Sequence, residues 1–248
     1  MMTESAPVVA SIDADALVQR VKAGDIRAIA RTITLLENHA PPGREALQQL
    51  AALTTHAVVI GITGYPGAGK STLIDRLAAA CRRQGHTVGI LAVDPSSRRT
   101  GGAILGDRIR MQDHALDPKV YVRSMATRGQ HGGLAPATKG AVRVLEAAGY
   151  GVIFVETIGV GQDEVEIRSV AQTVVAVVAP GLGDEIQAMK AGLLEVADII
   201  VVNKGDRDGA DLTLLDLQEW HPHVIRAVAI KDDGIPELLA AIAARQRR

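Results

Sequence analysis

Apolar residues recur at helical spacing through the first fifty positions. Leu17, Val18 and Val21 mark one face, and Ile26, Ile29, Ile33 and Leu36 mark the next. Asp13 and Asp25 stand just ahead of these runs, where a carboxylate caps the free N–H groups of a helix start. Pro41-Pro42-Gly43 breaks the pattern, and a further helix is expected from about Glu45 to Thr54. From Ala57 onward the period changes. Short Val/Ile-rich runs at Ala57–Thr63, Thr87–Val93, Val120–Arg123, Val152–Glu156, Thr173–Ala179, Ile199–Asn203 and Val224–Ala229 read as strands. Helical patterns or loops separate each pair, and Ile235–Arg245 closes the chain as a helix with Pro236 near its start. This rhythm implies right-handed βαβ crossovers, hence an α/β fold with a mostly parallel sheet of about seven strands flanked by helices. The expected division is a small N-terminal helical appendage over residues 1–56 and an α/β domain over 57–248.

Composition sharpens the picture. Aromatic residues make up 2% of the 248, so the core has to be built from Ala, Val, Ile and Leu, as suits a buried parallel sheet. A net charge of -1 with no basic block in the body of the chain argues against nucleic-acid binding. The closing Arg245-Gln246-Arg247-Arg248 reads as a solvated tail. Cys81 is the single cysteine, which excludes disulfides within the chain and thiolate metal clusters. No apolar run approaches the ~20 residues of a membrane span, and the start lacks the pattern of a secretory signal. The expectation is a cytoplasmic protein.

Ligands of parallel sheets gather beyond the carboxyl ends of the strands, and the unusual residues of this chain lie there. Gly64-Tyr65-Pro66-Gly67-Ala68-Gly69-Lys70-Ser71 matches the phosphate-loop pattern between a strand and a helix. Gly67, Ala68 and Gly69 let backbone N–H groups turn around phosphate oxygens, and the helix start adds a favourable dipole. Lys70 is placed to reach the β- and γ-phosphates, Ser71 to ligate Mg²⁺, and Thr72 to touch the α-phosphate. An ordinary Gly-rich turn requires neither the Lys nor the Ser.

Such a site also needs acids near the metal and the γ-phosphate. Glu156 ends the apolar run Val152–Val155, with Gly159 three residues on. Asp94 ends the strand Thr87–Val93 at the same edge. Asp107 lies in the Gly-rich stretch Gly101–Arg108, which suits a loop that moves with the γ-phosphate. Taken singly, a helix cap or a surface charge also accounts for Asp107. Gln162 suits orienting water and equally suits a solvated loop beside Asp163.

Asn203-Lys204-Gly205-Asp206 follows the strand Ile199–Val202. Its carboxylate can accept two hydrogen bonds from guanine N1 and the exocyclic amine, a pair that adenine does not offer. Leaving that carboxylate unmatched costs about 1–3 kcal/mol. Asn203 is expected to brace the loop and contact N7, and the Lys204 stem to cover the base. The Ala229 N–H is expected to meet guanine O6. The ligand implied is GTP or GDP.

Together these residues resemble the MeaB/ArgK-type GTPases associated with methylmalonyl-CoA mutase. The resemblance is carried by Gly61–Asp75, Leu91–Ser97, Thr100–Met111, Arg123–Gly129, Val155–Gln162, Ala179–Glu185, Lys190–Gly192 and Ala197–Lys204. It implies a GTPase of the SIMIBI class of P-loop NTPases that serves as chaperone of an adenosylcobalamin-dependent acyl-CoA mutase, gating cofactor loading and protecting or reactivating the mutase. It further implies that Lys70, Asp94, Asp107 and Glu156 form the catalytic set, with Ser71, Asp94, Asp107 and Glu156 around Mg²⁺. Pro180–Gly192 resembles the switch that couples nucleotide to mutase. For Asp184, Glu185 and Lys190 a solvated helix face is the other reading. A cobalamin adenosyltransferase is a further expected partner. Relatives usually continue into a helical arm that helps form a homodimer, whereas this sequence stops at Arg248; a monomer, a homodimer formed through the α/β domain and reliance on the mutase itself all stay open.

Competing readings are a nickel metallochaperone of the same class and a P-loop small-molecule kinase. The first calls for Cys or His ligands, and the chain has one Cys and no His-rich tract. The guanine reader argues against the second, and against an older label of amino-acid-transport ATPase. Arg108, Arg123 and Arg128 are candidates for an arginine finger or are simply surface charges.

Overall fold

The computed structural model describes residues 12–53, 56–94, 117–126, 134–157, 166–181 and 196–247. Three helices come first: α1 (Ala14–Lys22), α2 (Ile26–Glu37) and α3 (Pro41–Ala51). The expected caps are in place. Asp13 accepts from the Asp15 and Ala16 N–H groups, and Asp25 from those of Arg27 and Ala28. The break at Pro41-Pro42-Gly43 proves to be the start of α3 rather than a gap before it. The first N–H groups of a helix have no intrahelical partner, so proline loses nothing there and its fixed φ favours the turn.

Seven strands follow: β1 (Val58–Thr63), β2 (Val88–Asp94), β3 (Val120–Ala126), β4 (Val152–Glu156), β5 (Thr173–Val178), β6 (Ile199–Val202) and β7 (Val224–Arg226). They form one all-parallel sheet in the order β3-β2-β4-β1-β5-β6-β7. Further helices are α4 (Lys70–Arg83), α5 (Thr138–Ala147), α6 (Ala210–Gln218) and α7 (Ile235–Gln246). β3 runs past the expected end at Arg123, whereas β7 stops short of the expected Ala229. There the chain turns into a short 3-10 segment over Ala229–Lys231.

Both sheet faces are covered, as strands this uniformly apolar require. Residues alternate between the faces. Val59, Ile153 and Val155 point into a core shared with α1, α2, α3 and α5. Ile60, Ile62 and Phe154 point into the opposite core beneath α4 and α7. The N-terminal helices are therefore part of one apolar cluster with the sheet. Close packing here depends on small residues: a Cβ at Gly140 of α5 would lie 3.0 Å from Leu36 Cδ1 and 3.2 Å from Leu47 Cδ2. Arg123 adds a polar tie, donating to Ala30 O, Thr34 Oγ1 and Glu37 of α2. At the amino edge of the sheet the buried Asp198 binds Arg168, Arg245 and the Val174 N–H. Among the described residues no helix is long and apolar enough to cross a membrane.

Because β1 is followed on one side by the crossover to β2 and β5 feeds β6 on the other, adjacent strands send their chains in opposite directions. The crevice so created, beyond the carboxyl ends, is where a doubly wound sheet receives a ligand.

Candidate functional site

The loop after β1 is shaped by glycines at positive φ. Gly64 (φ 132°) lies so close to β5 that a Cβ would come 2.0 Å from Val177 O. Gly69 (φ 97°) is the N-cap of α4, with no side chain capping that helix start. A Cβ there would sit 2.3 Å from Asn203 Nδ2. The open helix start and the turned backbone present N–H groups and a positive dipole end to the crevice, which suits a phosphate.

Lys70 and Ser71 occupy the first turn of α4, both buried. Lys70 Nζ donates to Gly64 O at 2.7 Å and Tyr65 O at 3.3 Å, so the ammonium lies folded along its own loop. Ser71 Oγ donates to Glu156 Oε1 at 3.0 Å. Glu156 ends β4 between β1 and β2, paired in register with Ile62 and Ala92. Behind it the buried hydroxyls of Thr157 and Thr63 bond at 3.0 Å, joining the ends of β4 and β1. Asp94 closes β2 two positions beyond Glu156's partner Ala92, at the same sheet edge.

The second loop leaves β6. Asn203, only 3% exposed, donates from Nδ2 to Ala68 O at 2.9 Å and accepts at Oδ1 from the Ala229 N–H at 3.1 Å. One carboxamide thus ties three loops together. Lys204 adopts left-handed backbone (φ 57°), a conformation uncommon outside glycine. It lays its ammonium on Gly67 O at 2.6 Å. Asp206, at the rim, binds Lys231 Nζ through Oδ2 at 2.8 Å. That ammonium is the leading cause holding the Asp206 carboxyl below the usual carboxylate range. Gly69, Thr72, Asn203, Lys204, Asp206 and Val228–Ile230 enclose an open cleft of about 360 Å³ between the two loops.

The structure therefore brings Gly67, Ala68, Gly69, Lys70, Ser71, Thr72 and Glu156 to one side of a crevice and Asn203, Lys204, Asp206 and Ala229 to the other. The Ala229 N–H, expected to meet guanine O6, here donates to Asn203 Oδ1 from the start of the 3-10 turn, while Ala229 itself lines the cleft. One expectation is corrected. Arg123 is not poised as a finger, since its guanidinium is bound to α2. Asp107, Arg108, Arg128, Gln162, Asp163, Asp184, Glu185 and Lys190 lie outside the described residues, as does Pro180–Gly192 beyond Gly181. Sequence reasoning missed the Lys231–Asp206 pair and the Thr63–Thr157 bridge. The two partners are 25 residues apart in the first and 94 in the second, so no local pattern announces either.

A family profile described as methylmalonyl Co-A mutase-associated GTPase MeaB matches residues 29–248. A candidate GTPase of Pyrococcus abyssi is 54% identical over 237 residues, covering 90% of this chain and 73% of that one. The GTPase ArgK of Escherichia coli is 35% identical over 243 residues, covering 91% of this chain and 73% of its own. Among solved structures, an LAO/AO transport system kinase superposes with a TM-score of 0.70 at 28% identity, over 98% of this chain and 77% of that one.

Proposed function

This chain belongs to the MeaB family of methylmalonyl-CoA mutase-associated GTPases, and from that premise we propose that it binds and hydrolyses GTP as a switch on an adenosylcobalamin-dependent acyl-CoA mutase. One observation carries the nucleotide part: Asn203 bonds both the phosphate loop and the Ala229 turn, so phosphate cradle and base reader form a single cleft. We assign 1–56 as the helical appendage and 57–248 as the GTPase domain, working in the cytoplasm.

In this reading the phosphates lie over the Gly67–Thr72 backbone, and Lys70 leaves the Gly64 and Tyr65 carbonyls for the β- and γ-oxygens. Mg²⁺ fits the adjoining pair, because the Ser71 hydroxyl and Glu156 carboxylate are buried oxygen donors 3.0 Å apart, the hard ligands that ion takes. When bound it would neutralise charge on the phosphate oxygens. Asp94 and Asp107 complete the acidic set at the γ-phosphate end. Asp206 accepts the guanine N1 and amine hydrogens while the Lys204 stem covers the base. Nucleotide state then passes through Pro180–Gly192 to the mutase, to gate cofactor loading and to protect or reactivate it, with a cobalamin adenosyltransferase as a further partner.

The deciding experiment is a GTPase assay of the full chain, free and with candidate acyl-CoA mutases. Turnover is expected to be slow alone, faster with the cognate mutase, and lost in Lys70→Ala. Turnover retained in Lys70→Ala sinks the nucleotide mechanism; no response to any acyl-CoA mutase sinks the chaperone role.

A further inference from the structure

We propose that Lys231 is a positioning residue of the base reader, holding the Asp206 carboxylate in the orientation that selects guanine. The inference rests on the guanine-site reading above and goes beyond it to a residue outside the Asn203–Asp206 motif. Lys231 Nζ meets Asp206 Oδ2 at 2.8 Å, and Asp206 lines the cleft.

The ammonium is delivered by a well-fixed turn. The Lys231 N–H donates to Val228 O at 2.8 Å, and the Val228 N–H donates to Asp233 O at 3.0 Å. Gly234 packs against the strand end, where a Cβ would lie 2.3 Å from Arg226 O. The same turn is tied to the reader itself through the Ala229 N–H and Asn203 Oδ1. Lys231 and Asp206 are therefore held in register by the residue that also holds the phosphate loop.

No other side chain on this turn can do the work. Val228, Ala229 and Ile230 carry no polar side-chain atom, so the turn offers Asp206 no hydroxyl. The other cations nearby are differently engaged. Lys204 Nζ lies on Gly67 O, and Arg226 lies on Gly205 O and Asp211. Arg207 acts on Asp206 through its charge, after Lys231 in strength. Asp232, the neighbouring acid, faces Arg76 at 4.0 Å. A carboxylate oxygen accepts two hydrogen bonds, so Oδ2 can keep Lys231 and still serve the base alongside Oδ1. An ion pair between groups 61% and 38% exposed contributes little to folding. The effect of Lys231 is therefore to be read in nucleotide selectivity and not in stability.

The test uses the full chain with GDP, IDP and ADP as probes, in Lys231→Met, which keeps the stem, and Lys231→Arg, which keeps the charge. Lys231→Met should weaken GDP binding by roughly three- to tenfold, leave ADP binding and the melting temperature unchanged, and narrow the preference for GDP over IDP. Lys231→Arg should restore most of the loss. Guanine binding requires the ionised carboxylate, so affinity is full above the Asp206 pKa and falls as pH drops through it. Without Lys231 that loss should begin at higher pH. In an Asp206→Asn background Lys231→Met should change nothing further. Wild-type GDP affinity in Lys231→Met, or an equal loss in the Asp206→Asn background, overturns the proposal. Undiminished GDP binding in Asp206→Asn alone is a different result: it removes the base reader, and the proposal with it.

Discussion

Replacing Asn203 by Ala tests the joint between the two nucleotide loops. The substitution removes two hydrogen bonds, Nδ2 to Ala68 O at 2.9 Å and the Ala229 N–H to Oδ1 at 3.1 Å. Ala68 and Ala229 are both essentially buried, so each orphaned backbone group loses its partner where protein water is scarce. Each such group costs about 1–3 kcal/mol. The adjoining cleft is open on one side and lets water reach part of the site, which places the total near the lower end, about 2–3 kcal/mol. Against a typical domain stability of about 5–15 kcal/mol this is a large fraction. Asn203→Asp separates the two bonds: it keeps the acceptor for Ala229 but sets a carboxylate oxygen against Ala68 O. It should be at least as harmful as Ala, although it fills the same volume. Urea unfolding of the three proteins, with GDP titration alongside, gives the comparison. Both variants should also bind GDP more weakly, because phosphate loop and reader lose their common brace. A stability loss below about 0.5 kcal/mol in Asn203→Ala, at unchanged denaturant slope, would refute the argument that this side chain joins the loops.

Three further outcomes follow from other parts of the fold. Gly64→Ala should cost about 3 kcal/mol or more or prevent folding, because the new Cβ meets Val177 O at 2.0 Å in a left-handed backbone; thermal unfolding near wild type would contradict it. Burial pushes the Asp198 carboxyl up, but Arg168, the Val174 N–H and Arg245 outweigh it and leave it below the usual range. Its contribution to stability is thus present above the unfolded value of about 3.9 and fades as pH falls through the lower folded one. Asp198→Asn should lose about 3 kcal/mol at pH 7, the low end for a buried ion pair because both arginines are partly exposed, and approach wild type in acid, and a loss independent of pH in urea titrations would count against the ion cluster. Arg123→Met should lower stability by about 1–2 kcal/mol without slowing GTP turnover per folded molecule; a catalytic defect at unchanged stability would restore Arg123 as a finger.

The strands were legible because each is a short Val/Ile run with a turn signal at its end, and the caps were legible because Asp13 and Asp25 act within three residues. The phosphate loop and reader were legible for the same reason, each being a contiguous string. What escaped was non-local or conditional on context. Pro41-Pro42 spells a stop inside a helix and a start at its first turn, and only the Ala40 backbone settles which. The strand expected to end at Arg123 continues to Ala126, and the Arg123 guanidinium is bound to α2, a partner 89 residues away in sequence. Ala229 lay in an apolar run that suggested strand, but Gly234 and Asp232, both at positive φ, fold the chain back, and the Ala229 N–H bonds Asn203 Oδ1. The order of the strands, and with it the crevice, is written in no local segment.

The shared core beneath the first three helices carries a practical consequence. Val59, Ile153 and Val155 are roofed by Leu36, Leu50 and their neighbours in one buried apolar cluster. A version of the protein beginning at β1 would keep both loops of the cleft, yet would turn one flank of its sheet into a bare apolar wall. Such a fragment is destined for aggregates or for another chain's surface, so biochemists wishing to trim this GTPase should cut elsewhere.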